Sequence, residues 1–289
     1  MRVTNQMMAN NVNAQLTRLM NQMVKTQEQI TTGKRINRPS DDPSAIGSVL
    51  SYRNTISSLD QYGETIDRLQ LHIDSIDDVM GMVGDLLGDA KAIAYDTDPD
   101  MRSTLAQEVA DIRDQVLQMA NYQIDGQYMF AGDLTNTKPY GDNSTWDYSG
   151  DGGTRDALIG ENMQFSITAD GREIFGPDND NVFDILNNLE TDLNTGDSDA
   201  IKSNISRLSE AIDRITHVRA NNAGAYQRLE ATKNHYDYFK VNVQDMLSGT
   251  EDADKAEAII NFQVQQTNYE STLASSSMIL QKSLIDFLR

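Results

Sequence analysis

Few stretches of this chain have residue types and spacing that could do chemistry. Asp96, Asp98 and Asp100 imitate the first, third and fifth positions of a twelve-residue calcium loop. Position six, however, is Met101 where that loop needs glycine for its sharp turn, and position twelve is Gln107 where it needs a bidentate glutamate. The stretch "DTDPD" therefore reads as a turn between helices. His72, His217 and His235 are scattered and form no HExxH pair, so no metal centre or general base is predicted from them. The absence of cysteine removes disulfides, thiolate zinc sites and cysteine nucleophiles together. There is no GxSxG, Walker loop or GxGxxG, and "SGDGG" at 149–153 reads as a hairpin turn. No catalytic, cofactor-binding or metal site is expected.

One polar group is denser than the rest. Arg35, Arg38, Asp41 and Asp42 lie in "TTGKRINRPSDDPS", Thr31 to Ser44, between two long helical patterns. Composition alone makes this a solvated loop ending in a helix cap.

The flanking elements are helices. Val12, Leu16, Leu19, Met23, Thr26 and Ile30 recur at alternating intervals of four and three, which puts one apolar seam along a helix that ends at Gly33. Asp42 as N-cap and Pro43 at the first helical position open a second helix over 44–95, expected to be the longest. Its apolar positions run from Ile56 to Ala94. A third pattern, Leu105 to Met119, lasts until about Tyr122. Between Tyr140 and Pro177 the text turns to glycine-rich turns, the single tryptophan, and short segments such as "MQFSIT" and "REIFG" that read as strands. A short helix over Val182–Leu193 follows, then a long pattern from Asp199 to Met246. "SGTEDAD" at 248–254 interrupts it, matching the break near the N-terminus. The last helix has a seam of Ile259, Phe262, Gln266, Tyr269, Leu273, Ser277, Leu280, Leu284 and Phe287, weakened by its polar members.

The fold class predicted is mainly α: an elongated bundle of long helices built from both chain ends, with a small β-rich insertion in the middle. The expected parts are 1–43 and 250–289 as halves of a terminal coiled coil, 44–137 and 181–249 as halves of a helical rod, and 138–180 as the insertion. Residues 1–44 carry six Lys/Arg against three Asp/Glu, and 250–289 the reverse balance of three against six, so the ends should attract. The net charge of −20 thus rests on 45–249. It argues against nucleic acid and anionic membranes as partners. No window is apolar enough to span a bilayer, and the N-terminus lacks a signal-peptide core.

The terminal stretches carry a resemblance. "ITTGKRINRPSDDPSAIG" and "AIINFQVQQTNYESTLASSSMILQKSLIDFL" resemble the N- and C-terminal signatures of bacterial flagellins. "NYQIDGQYMFAGDLTNTKPY", Asn121 to Tyr140, is similar to the member of that family that joins hook to filament, and "RANNAGAYQRLE" to the small-residue segment of the family's long returning helix. The resemblance covers 1 to about 140 and 180–289.

It implies a structural subunit of the bacterial flagellum, extracellular and exported unfolded without a cleaved signal peptide. The alternative within the family is a filament flagellin with a reduced outer domain. A cytoplasmic signalling hairpin is the competing reading from another class, and it should lack paired breaks. The partners implied are further copies in a ring, a hook-associated protein on the hook side, flagellin on the filament side, and an export chaperone that would meet 255–289. The resemblance also moves the polar group to a subunit interface. The interface residues expected are Arg35, Arg38, Asp41 and Asp42, with Phe262, Tyr269, Leu273, Leu280, Leu284 and Phe287 from the last helix.

Overall fold

The computed structural model describes residues 5–96, 98–141, 146–168 and 170–287; side chains are described except at 5, 6, 8, 155, 168 and 278–287. Among them are α1 (Asn5–Thr32), α2 (Ile46–Ala94), α3 (Arg102–Ala120), the hairpin β1 (Gln123–Ile124) and β2 (Gln127–Tyr128), and the hairpin β3 (Thr154–Leu158) and β4 (Gln164–Thr168). They are followed by α4 (Gly171–Phe175), α5 (Val182–Thr195), α6 (Ser198–Glu251) and α7 (Lys255–Phe287). The fold is mainly α, as the periodicity requires. The chain forms two compact units, one from 1–58 with 238–289 and the other from 59–237.

In the unit of 59–237, the helix faces predicted from spacing on α2, α3 and α6 are buried, together with one face of α5. Val83, Leu87 and Ala90 of α2, Val109 and Val116 of α3, and Phe183, Leu186 and Leu189 of α5 share one core with Leu208 and Ile215 of α6. α5 is set by its ends: the Asn181 side chain accepts from the Asp184 amide at 2.8 Å, and the Gly196 amide closes on the Asp192 carbonyl at 2.8 Å. α2 and α6 run antiparallel here. Ring contact of Tyr62 with Tyr236, the Asp67–Lys233 ion pair and the bidentate Asp77–Arg219 pair at 2.9 Å pair rising numbers on one helix with falling numbers on the other.

The insertion is fastened to the helices by its aromatic residues. Tyr140, Trp146 and Phe175 are buried around Phe183 of α5, with ring centroids 4.9 to 6.4 Å from the Phe183 ring, and Phe175 meets the buried Phe130 edge-on at 5.4 Å. "MQFSIT" is a strand, paired antiparallel to β3 with Leu158 opposite Gln164. "REIFG" is not. It is the helix α4, capped by Asp170, whose carboxylate accepts from the Arg172 amide at 2.9 Å while Ile174 and Phe175 are buried. Burying two adjacent large residues suits a helical turn docked on a core, where strand alternation would send one of them outward. "SGDGG" is no hairpin turn either; it leads into β3, docked by the Asp151 amide on the Ala131 carbonyl and by the Asp133 amide on the Asp151 carboxylate. The small β1–β2 hairpin turns on Asp125 and Gly126, both with positive φ, as an Asp-Gly turn requires.

Candidate assembly site

The unit of 1–58 and 238–289 contains both predicted breaks, and each supplies what the other lacks. α1 stops at Thr32 because Gly33 takes φ +74°, a left-handed conformation open to glycine, with its amide on the Gln29 carbonyl at 2.8 Å. The freed Gly33 carbonyl then accepts from the Ala253 amide at 2.9 Å. In return, the end of α6 gives its unpaired carbonyls to the first break. Arg35 and Ile36 donate their amides to the Glu251 carbonyl at 2.6 and 3.3 Å, and Arg35 Nη2 donates to the Thr250 carbonyl at 2.8 Å. Ile36 is buried beneath this crossing.

These partners explain why α6 runs on to Glu251, through "SGTE", where the sequence pattern suggested a stop at 248. At 54 residues α6 is also the longest helix, ahead of the 49 of α2. Glu251 is the residue that sequence reasoning missed. Its side chain is 2% exposed, and Lys34 Nζ at 2.7 Å and Arg53 Nη2 meet the same carboxylate oxygen. A glutamate at a helix end carries no local signal for this, because both cations are distant in sequence.

The four predicted polar residues of the first break are brought together within 35–42. Asp42 caps the approach to α2: its Oδ1 accepts from the amides of Ser44 and Ala45 at 3.2 and 3.1 Å and from the Ser44 hydroxyl at 2.6 Å, while its backbone carbonyl receives the Ile46 amide. The Ser44 hydroxyl first, and then the Arg35 guanidinium at 3.1 Å, hold the Asp42 carboxyl down to about 2. Asp41 accepts from the amides of Asn37 and Arg38 and pairs with Lys25 of α1 at 3.0 Å; that lysine is the main cause of its lowered pKa. Arg38 reaches Glu28 at 3.4 Å and is otherwise open to solvent. Both arginines thus meet carboxylates of their own chain.

α1 and α7 pack on each other beyond the breaks. Val12, Leu16, Leu19, Met23 and Ile30 are half-buried and Thr26 is buried, the seam expected of α1. On α7 the facing side is Ala258, Phe262, Gln265, Tyr269, Thr272 and Ser276. Among the described side chains, the expected seam shares only Phe262 and Tyr269 with it. This face mixes the small Ala258, Thr272 and Ser276 with Phe262, Gln265 and Tyr269, and leaves several large apolar neighbours outside it. Ile259, Ile260, Val264 and Leu273 are consequently exposed, as are Met7, Met20 and Val24 of α1. The side chains of Leu280, Leu284 and Phe287 lie outside the described residues. Among the described residues no helix is long and apolar enough to cross a membrane, and no group of three or more His, Cys, Asp or Glu could hold a metal ion.

Comparison with known proteins follows the same outline. Residues 3–135 match the bacterial flagellin N-terminal helical region. The chain is 30% identical over 156 residues to flagellar hook-associated protein 3 of Salmonella typhimurium, covering 52% of this chain and 49% of that protein, so it spans about half the length of that curated relative. A solved structure from Vibrio parahaemolyticus, described as a flagellar hook-associated protein, superposes with a TM-score of 0.69 at 17% identity, over 73% of this chain and 100% of that one. The flagellar junction protein of Legionella pneumophila gives 0.59 at 14% identity, over 72% and 100%. Residues 3–135 are thus similar to the bacterial flagellin N-terminal helical region, and the chain, similar to flagellar hook-associated protein 3 over about half of that protein's length, shares the fold of the flagellar hook-associated proteins.

Proposed function

We propose that this chain is a structural subunit of the bacterial flagellum that joins the hook to the filament and performs no catalysis. The observation that carries the reading is the docking of the two chain breaks beside a helix pair whose large apolar residues point outward. Such a pair resembles half of an interface: Ile260, Val264 and Leu273 on α7 and Met20 and Val24 on α1 are exposed in the single chain. Copies of the chain arranged in a ring would cover them, with a hook-associated protein on one side and flagellin on the other. Arg38, with its guanidinium largely in solvent beyond Glu28, is the member of the polar group placed to meet a neighbour's carboxylate, while Arg35 works within its own chain. The site is extracellular, and the chain reaches it through the flagellar export channel, assisted by a chaperone on α7.

A strain lacking the gene tests this. Its cells should build hooks and release monomeric flagellin into the medium, and gold-labelled antibody on complemented cells should mark a band at the hook boundary. Normal filaments in the deletion strain would overturn the proposal, and labelling along the whole filament would favour a filament flagellin instead.

A further inference from the structure

We propose that Lys34, Arg53 and Glu251 form an electrostatic latch that positions the terminal helix pair, so that α1 and α7 dock on the chain breaks together or not at all. Glu251 is the last residue of α6, and its carboxylate is withdrawn from solvent between two cations that stay partly exposed. The cations come from different places: Lys34 from the break after α1, Arg53 from the second turn of α2. A buried carboxylate is tolerated while its partners are present and becomes strongly unfavourable when one departs. The same residue receives the Arg35 and Ile36 amides on its main-chain carbonyl. Glu251 therefore senses the break through its backbone and both the break and α2 through its side chain. It is satisfied only when all three elements have assembled.

The seam between α1 and α7 is too poor to make that decision alone. Thr26, Gln265, Thr272 and Ser276 occupy it, and the buried Gln265 Oε1 has no hydrogen-bond partner among the described residues. Its apolar members are half-buried at best, except for Ala258. A weak seam beside a strong electrostatic contact makes the contact the controlling step. When the latch is open, the helices lose the anchor that holds Gly33 against Ala253 and have only the polar seam to keep them together. When it is closed, their outward faces are presented as one surface. The proposal draws on the flagellar reading only for its motility readout.

The test is Glu251→Gln in the full chain, which keeps the size and an acceptor while removing the charge. Amide hydrogen exchange at Arg35, Ile36 and Ala253 should accelerate by about tenfold or more, while Val83 and Leu87 in the other unit keep their protection. The emission of Trp146, also in that unit, should not change. Arg53→Lys should retain protection at the three amides and Arg53→Met should lose it. Unchanged exchange at Arg35, Ile36 and Ala253 overturns the latch. So does acceleration that spreads to Val83 and Leu87, since that would mark a general structural role. In the deletion strain, the Glu251→Gln chain should be exported and fail to restore swimming. Local acceleration in cells that swim normally upholds the latch and overturns its part in assembly.

Discussion

Replacing Gly33, Pro39 and Pro43 with alanine asks whether the first break is made by its own residues or by what it touches. Local restraints alone favour fusion of α1 with α2: each Pro→Ala exchange in a helix interior is worth about 3 kcal/mol and Gly→Ala about 1, roughly 7 in all. Fusion gives up the docked arrangement. It loses the amide hydrogen bonds of Arg35, Ile36 and Ala253, each about 1 kcal/mol. It exposes Ile36, at about 2 kcal/mol, and takes Lys34 from the buried Glu251, at about 4. These losses total roughly 9 kcal/mol, so the break should survive all three alanines by a narrow margin. Adding Glu251→Gln removes the largest opposing contribution and should let the fused helix form. Because the chain has no cysteine, spin labels at Val24→Cys and Leu50→Cys, both exposed, report the α1–α2 geometry by pulsed electron resonance. The triple alanine variant should keep the wild-type distance distribution, and the quadruple variant should gain a second, longer one. A fused population in the triple variant alone would refute the reasoning and return the break to its local signals.

Two further outcomes follow from the structure. Phe183→Ala removes the ring around which Tyr140, Trp146 and Phe175 gather, and should destabilise the unit of 59–237 by about 3–5 kcal/mol in urea unfolding followed by Trp146 emission; a loss under about 1 would contradict the packing. The Asp42 carboxyl is held at about 2 in the folded chain, below its ordinary value of 3.8. A depressed folded value contributes stability above the unfolded value and loses it as pH falls through the folded one, so protection of the Ser44 and Ala45 amides should persist below pH 3.8 and fade toward pH 2. A midpoint at the ordinary value would show that the cap does not hold the charge.

Much of this architecture was legible from spacing and punctuation. The α1 seam from Val12 to Ile30, the stop at Gly33, the Asp42 cap and the short helix opening at Val182 all come from local chemistry that the sequence states outright. The misreadings share a cause. "REIFG" alternates like a strand until the core supplies a place for both Ile174 and Phe175, and "SGDGG" looks like a turn until the 131–133 segment docks against it. On α7 the largest apolar residues suggested one seam, whereas the face that is covered runs through Ala258, Phe262, Gln265, Tyr269, Thr272 and Ser276. The Asp-Gly turn at 125–126 was a readable hairpin signal inside a stretch taken for its family likeness. Glu251 could not be found at all, because its meaning lies in Lys34 and Arg53, which are neighbours only after folding.

The antiparallel pairing of α2 with α6 constrains how the length of this chain can change. Tyr62 with Tyr236, Asp67 with Lys233 and Asp77 with Arg219 form three rungs in one register. A single residue inserted between the rungs on either helix rotates everything beyond it by about 100°, so one strand of the ladder would turn its charges away from the other. Deletions there are tolerated only when both helices lose matching turns. The turn at 98–101 lies outside the rungs and carries no such register, whereas the turn at 159–163 is tied to one of them, because the Tyr236 hydroxyl donates to the buried Ile159 carbonyl at 2.6 Å. Tags, epitopes or extra loops placed at 98–101 should leave the ladder aligned, which makes that turn the position where this scaffold can grow.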